Sequence, residues 1–312
     1  MHVSPASLRS GALARDNPRP VSFNYGMKVT HHIPTTRAAV AAARQAGRTI
    51  GFVPTMGYLH AGHLSLVAAA RRDGHFVVAS IFVNPTQFGP HEDFDRYPRD
   101  TAGDLQQCQQ AGVELVFMPA VVDMYRPDAT TTVHVAGLTE TLCGPCRPGH
   151  FDGVATVVTK LFNIVQPDSA YFGQKDAQQL AVIRRMTRDL DLPVKIIGCP
   201  TVREPDGLAM SSRNAMLSPD ERQRATALHR ALRAAQTSIH GGQRDPAAVV
   251  DEMRRTIDAV RPANVDYISV VDPETMQPVS QITGPVLIAL AVRIGHTRLI
   301  DNLTVDPAGS AP

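Results

Sequence analysis

The sequence predicts an α/β fold, a Rossmann-like parallel sheet with helices on both faces, followed by a smaller α+β C-terminal domain. Short, continuously apolar segments at 48–54, 76–83, 113–118, 169–172 and 194–198 alternate with helical patterns. Strands buried on both faces read as unbroken apolar runs, which is the mark of a parallel sheet covered by helices. Beyond position 201 the alternation stops, and long amphipathic helices precede three strands with no helices between them.

Each element has its own signal. Residues 35–46 are Ala-rich with helical spacing and stop at Gly47. The strand at 48–54 runs into Thr55, Met56 and Gly57, and a helix follows at 64–72. Further helices are expected at 101–111, 154–166 and 176–190, each entering or leaving one of the apolar segments. In the C-terminal part, helices are expected at 219–240 and 246–260, split by Gly241 and Gly242, and strands at 265–271, 286–292 and 298–305. The expected organisation is a disordered leader over 1–26, a Rossmann-like domain over 27–201 and a smaller lid domain over 202–312, its tail loose from Pro307. The leader is rich in Ser, Pro and Arg and lacks the apolar core of a secretory signal, and Met27 is an alternative start.

Composition narrows the function. Lys and Arg number 31 against 29 Asp and Glu, so no general positive field is available to grip nucleic acid or an anionic membrane, and any anion site must be local. No apolar run approaches the ~18 residues of a membrane span. With 4 cysteines in 312 residues there is no disulfide framework, which places the chain in the cytoplasm.

The strongest chemical feature is the string PTMGYLHAGH at 54–63, between a strand and a helix. That junction offers backbone N–H groups and a helix dipole at the edge of the sheet where phosphates bind. His60 and His63, three apart at a helix start, share a face and can donate to a triphosphate under attack. Taken alone, the pair reads equally as capping or core histidines. A second feature, LAMSSRN at 208–214, sets two hydroxyls and a guanidinium on a loop, suited to phosphate oxygens but also ordinary turn composition.

Together these resemble the HIGH and KMSKS signatures of the class I aminoacyl-tRNA synthetase-like nucleotidyltransferases. Further strings follow in order: SIFVNPTQF at 80–88, YPR at 97–99, RPGHF at 147–151 and YFGQKDAQQ at 171–179. With them the chain is similar, from Met27 to Asp306, to the pantoate–β-alanine ligase family. The resemblance implies ATP-dependent condensation of (R)-pantoate with β-alanine through a pantoyl adenylate, releasing pyrophosphate and then AMP. It also implies a homodimer that uses Mg²⁺ with ATP, needs no tightly bound organic cofactor and binds no nucleic acid or membrane.

Position by position, the resemblance assigns ATP binding to Met56, Gly57, Tyr58, Leu59, His60, Ala61, Gly62 and His63. It assigns the same to Gly173, Gln174, Lys175 and Asp176, to Val202 through its backbone, and to Met210, Ser211, Ser212 and Arg213. His63, His60, Lys175 and Arg213 carry the catalytic roles. Gln87, Gln179 and Asn84 meet pantoate, and Gln87 also meets β-alanine. Asp176 would hold ribose hydroxyls or cap the following helix. Asp104 is either an acidic helper for the metal or a helix-surface acid. Arg147 belongs to the substrate region.

The chain departs from the family pattern at Ala61 and Gln174, where Glu is common, and at bulky Tyr58. Cys143 and Cys146 form a C-x-x-C pair that can mark a redox or zinc site. Arg147, Pro148 and Gly149 follow at once and are expected to break any helix there, and only His150 stands close as a further ligand. The other histidines, among them His31, His32, His91 and His134, read as surface or cap residues.

Overall fold

The computed structural model describes residues 26–90 and 92–309. The leader, apart from Gly26, lies outside the described residues, as do His91 and residues 310–312. Strand β1 (Lys28–Thr30) leads into α1 (Ile33–Gln45), β2 (Ile50–Thr55), α2 (Ala61–Arg72) and β3 (Phe76–Ile81). A 3-10 turn at Pro85–Gln87 precedes α3 (Thr101–Ala111), β4 (Leu115–Phe117), α4 (Val121–Met124) and α5 (Cys143–Cys146). Next come α6 (His150–Val165), β5 (Ser169–Gly173), a 3-10 turn at Gln174–Asp176, α7 (Ala177–Asp189) and β6 (Lys195–Cys199). A 3-10 turn at Ser212–Met216 opens the remainder: α8 (Pro219–Ala225), α9 (Ala227–His240), α10 (Pro246–Asp258), β7 (Ala263–Val271), β8 (Val286–Ile294) and β9 (Thr297–Val305).

The first six strands form one parallel sheet in the order β1-β4-β3-β2-β5-β6. The chain builds outward from β2 through β3 and β4, then returns to lay β5 and β6 on the other side. The order therefore reverses between β2 and β5, and a crevice opens at their carboxyl ends. Both faces are buried, as the apolar runs require: Phe52, Val78 and Leu115 point into one core, and Val53, Val77 and Val116 into the other.

The last three strands form an antiparallel sheet in the order β7-β8-β9. In β8 the period of two divides the strand between neighbours. Ile288, Leu290 and Val292 pack with Leu232, Met253 and Ile257 of α9 and α10, while Leu287 and Ala289 join the core of the first sheet. This sheet is thus held between its own helices and the parallel-sheet unit.

Several elements differ from the sequence reading, among them α2, which begins at Ala61 and not at 64, and the added turn α4. The helix expected over 219–240 is interrupted at Thr226, whose hydroxyl and amide both donate to the Gln223 carbonyl, a tight i to i−3 turn. The helix expected from 154 begins at His150, directly after Gly149 turns the chain at φ 77°. One helical turn does form over Cys143–Cys146 and ends at Arg147. Strand β1 is an addition, because its three residues carry no readable period.

Gly153 sits where α6 meets the Pro85–Gln87 turn. A Cβ there would lie 2.5 Å from the Thr86 carbonyl carbon and 2.7 Å from the Gln87 nitrogen, and neither is a side chain that can swing away. Gly153→Ala is expected to destabilise the protein by ~1–3 kcal/mol, the usual range for overpacking, read as a lower urea midpoint. An unchanged midpoint would refute that close packing.

Candidate functional site

The crevice at the sheet's switch point is a cleft of about 1380 Å³, counting its open mouth. Its walls come from the end of β2, the start of α2, the Pro85–Gln87 turn, the end of β5 and the loop at 210–213.

The histidine turn is held from beneath. Gly57 and Tyr58 both take left-handed backbone angles, at φ 82° and 51°. Their turn is fixed by Asp104 of α3, whose carboxylate accepts the N–H groups of Tyr58 at 2.8 Å and Leu59 at 2.7 Å. A Cβ on residue 57 would stand 2.8 Å from the same carboxylate, so the position requires glycine twice over. Asp104 is 2% exposed, which overturns its reading as a helix-surface acid. Nor does the structure aim it at a metal, since both oxygens are committed to backbone amides. Burial pushes its carboxyl pKa up, against the opposing effect of those two hydrogen bonds.

His60 is the N-cap of α2, and its Nδ1 accepts the Gly62 N–H at 3.1 Å. His63 Nδ1 accepts the His60 N–H at 3.3 Å, and the two rings lie 4.1 Å apart. With each Nδ1 serving as an acceptor, a neutral ring carries its proton on Nε2 and can donate from there. Burial lowers the pKa of His60 to about 4, helped by the charge of Lys175, and that of His63 to about 3, helped by His60 and Lys175. Both are therefore neutral donors at physiological pH.

Lys175 and Asp176 reach the cleft from the end of β5. Asp176 stands at the N-cap of α7 yet makes no cap hydrogen bond, so of its two readings the helix cap is not the one observed. Val202 lines the cleft, and its carbonyl accepts the Met210 N–H, tying the second signature loop to the segment after β6. Ser212 donates to the Tyr58 carbonyl at 3.1 Å, joining the two signatures directly. Ser211 accepts from the Arg213 N–H. Arg213 makes a forked pair with Asp93 at 2.7 and 2.9 Å and lies 5.5 Å from the centre of the Tyr97 ring.

Farther in, Asn84 is saturated. It donates to Gln87 Oε1 and the Gly153 carbonyl, while its Oδ1 accepts from Thr86 and from Tyr125 Oη. In this conformation it orients Gln87 and has no hydrogen left for a ligand, although it lines the cleft. Gln87 Nε2 faces Met56 Sδ at 3.2 Å, and Gln179 lines the same cleft. Its neighbour Gln178 is structural, with Oε1 on the Cys143 N–H and Nε2 on the Leu138 and Thr141 carbonyls. Arg147 forks onto Glu92 at 2.7 and 2.6 Å and donates to His150 Nε2, and His150 Nδ1 donates to the Gln87 carbonyl.

A family model described as pantoate-beta-alanine ligase matches residues 28–304. The chain belongs to the pantoate–β-alanine ligase family. A pantothenate synthetase of Moorella thermoacetica is 56% identical over 280 residues, which is 90% of this chain and 99% of that protein. One from Heliobacterium modesticaldum is 60% identical over 260 residues, covering 83% of this chain and 92% of its own length. The crystal structure of the Thermus thermophilus pantothenate synthetase superposes with a TM-score of 0.85 at 50% identity, covering 89% of this chain and 99% of that one. A Francisella tularensis pantoate–β-alanine ligase complexed with beta-gamma ATP and β-alanine gives 0.74 at 33% identity, over 89% and 97%.

Against the family pattern, Ala61 is an exposed first residue of α2, and exposed Gln174 contributes its carbonyl rather than its side chain to a neighbour, Asn302. Cys143 and Cys146 are both free thiols. Cys143 is buried against Tyr267 Oη at 3.3 Å and Arg298 at 3.5 Å, and both nitrogens of His150 are engaged elsewhere. Sequence reasoning overlooked Glu92 and Asp93. Their arginine partners stand 55 and 120 residues away, a separation no local pattern reveals.

The histidine pKa values make stability depend on pH. In the unfolded chain His60, His63 and His150 take up protons near pH 6.5, but in the folded protein only at about 4, 3 and 4. Stability is therefore lost as pH falls from about 6.5 toward 4. His63→Gln is expected to flatten that loss in urea midpoints measured from pH 7 to 4.5. An equal slope in variant and wild type would contradict the burial of a neutral His63.

Proposed function

We propose that this protein condenses pantoate with β-alanine through a pantoyl adenylate formed in the switch-point cleft. The observation that carries the reading is the contact between the two signatures, Ser212 on Tyr58, beside a pocket floored by Gln87 and Gln179. One side of the cleft offers imidazole N–H donors and an ammonium, and the other offers neutral amides. A pantoate carboxylate attacks the α-phosphorus of ATP, the bond to the β-phosphate oxygen breaks, and pyrophosphate leaves. The amine of β-alanine then attacks the adenylate carbonyl, loses a proton, and expels AMP. Alignment and charge neutralisation suffice for both steps, and no covalent nucleophile is required.

His60 and His63 donate from Nε2 to phosphate oxygens, and Lys175 follows the charge that develops there. Gln87 presents an amide to pantoate, with Asn84 holding it in place, and Gln179 completes the pocket. Arg213 joins the phosphates on loop closure, leaving Asp93. Among the described residues no cluster of three or more His, Cys, Asp or Glu could hold a metal. Mg²⁺ would therefore come with the triphosphate, held by phosphate oxygens and water and supplying charge neutralisation, while Asp176, free of a cap bond, would hold ribose hydroxyls. The unit after residue 201 serves as the lid. The family reading brings with it a homodimer and a cytoplasmic setting. Among the described residues no helix is long and apolar enough to cross a membrane.

AMP release from ATP and Mg²⁺ is expected only when pantoate and β-alanine are both present, with pyrophosphate exchange on pantoate alone. No turnover with either acid would refute the assignment. His63→Ala should lower turnover by about 10²–10³ without lowering the urea midpoint below that of a folded protein. Lys175→Ala should slow adenylation more than aminolysis of preformed adenylate, and equal losses would count against its phosphate role.

A further inference from the structure

Two consecutive residues of β9 reach both nucleotide-contacting segments. Successive side chains of a strand point to opposite faces, and Asp301 and Asn302 use that geometry. Asp301, 2% exposed, takes the guanidinium of Arg203 at 2.6 and 3.0 Å. Arg203 pairs with Ala209 across the hairpin that carries Met210 to Arg213, and it also donates to the Gly207 carbonyl within that hairpin. Asn302 points the other way. Its Nδ2 donates to the Lys175 carbonyl at 2.7 Å and the Gln174 carbonyl at 3.1 Å, while its own N–H is held by Asp301 Oδ1 at 2.8 Å.

The Gln174–Asp176 turn has no side-chain cap of its own, either from Gly173 ahead of it or from Asp176 at the start of α7. What grips it from outside is an amide belonging to the C-terminal unit. A primary amide places two donors on one nitrogen, so both hydrogens serve successive carbonyls of the residues that present Lys175.

We propose that Asn302 is a positioning residue for adenylation. It sets the Lys175 turn in register with the Arg203 hairpin, so that Lys175 and the 210–213 loop are placed together. The proposal rests on the ligase reading above.

The test separates the half-reactions. Pyrophosphate exchange with pantoate and aminolysis of preformed pantoyl adenylate are measured for wild type, Asn302→Ala, Asn302→Asp and Asn302→Gln, each with its thermal midpoint. Asn302→Ala should lose about 10- to 100-fold in exchange, because the turn that presents Lys175 loses both of its side-chain hydrogen bonds to β9, while aminolysis stays within about 3-fold. Asn302→Asp, which sets a carboxylate against two carbonyls, should lose at least as much, and Asn302→Gln should recover part of the rate. Adding Asn302→Ala to Lys175→Ala should slow exchange no further, because the one acts through the other. Equal losses in both half-reactions, multiplying losses in the double variant, or exchange at the wild-type rate would each overturn the proposal. If Asn302→Ala does not fold, exchange by Asn302→Asp against Asn302→Gln decides the same point. A wild type that catalyses no exchange with pantoate would sink the ligase reading and this proposal with it. Wild-type exchange that Asn302 substitutions leave untouched sinks this proposal alone.

Discussion

The site depends on one buried carboxylate. Asp104 sits beneath the histidine turn and takes two backbone N–H groups that would otherwise be stranded, those of Tyr58 and Leu59. Holding a tyrosine at φ 51° costs about 1–2 kcal/mol, and an unpaired buried carboxylate would cost more. Each offsets the other here. With the turn held, His60 emerges in extended backbone as the cap of α2, and His63 falls one turn along with its Nδ1 against the His60 N–H. Tyr58 is then gripped on both sides, its N–H by Asp104 and its carbonyl by Ser212. Two signatures separated by 154 residues thus meet on a single residue.

Charge is distributed with similar restraint. The cationic and potentially cationic groups that line one cleft, His60, His63, Arg147, His150, Lys175 and Arg213, would repel one another before any nucleotide arrived. Burial, with Lys175 nearby, keeps the His60 and His63 imidazoles neutral, so they act as dipoles and not as charges. Adjacent acids Glu92 and Asp93 neutralise Arg147 and Arg213, and the opposing charges hold both carboxyl pKa values below the usual range although burial alone would raise them. Lys175 thereby supplies positive charge beside donors that add none.

How far the sequence is legible follows from the range of the signals. The apolar runs identify the parallel strands because such strands carry their period without help from distant residues, and Gly47 and Gly241 mark helix ends. His60, His63 and Lys175 are readable from motifs because their neighbours in sequence are also their neighbours in space. Asp104 reads as a surface acid and is not one. Its own helix is polar enough to suggest exposure, and what buries it is a turn 45 residues earlier. Asn84 reads as a ligand for pantoate; it lines the cleft, and its hydrogens go to Gln87 and Gly153, a commitment visible only once α6 lies against the turn. Thr226 breaks a helix that amphipathic spacing carries straight through, because one hydroxyl bonding backward weighs nothing in a periodicity.

The contact between the two units explains why a reactive intermediate can be made here. An acyl adenylate hydrolyses unless water is kept out, which demands walls that meet closely yet let substrate in. At the rear, Leu287, Ala289 and Met276 bury apolar surface in the first unit's core, an attachment that resists sliding. Toward the cleft the contacts turn polar: Asn302 on the Lys175 turn, and the Arg203 and Asp301 pair beside it. Hydrogen bonds of this kind can lengthen and reform over small displacements, whereas close-packed apolar surface cannot without opening a void. Apolar packing behind and polar contacts in front suit the lid role proposed for the second unit, with the adjustable contacts beside the residues proposed to meet the phosphates.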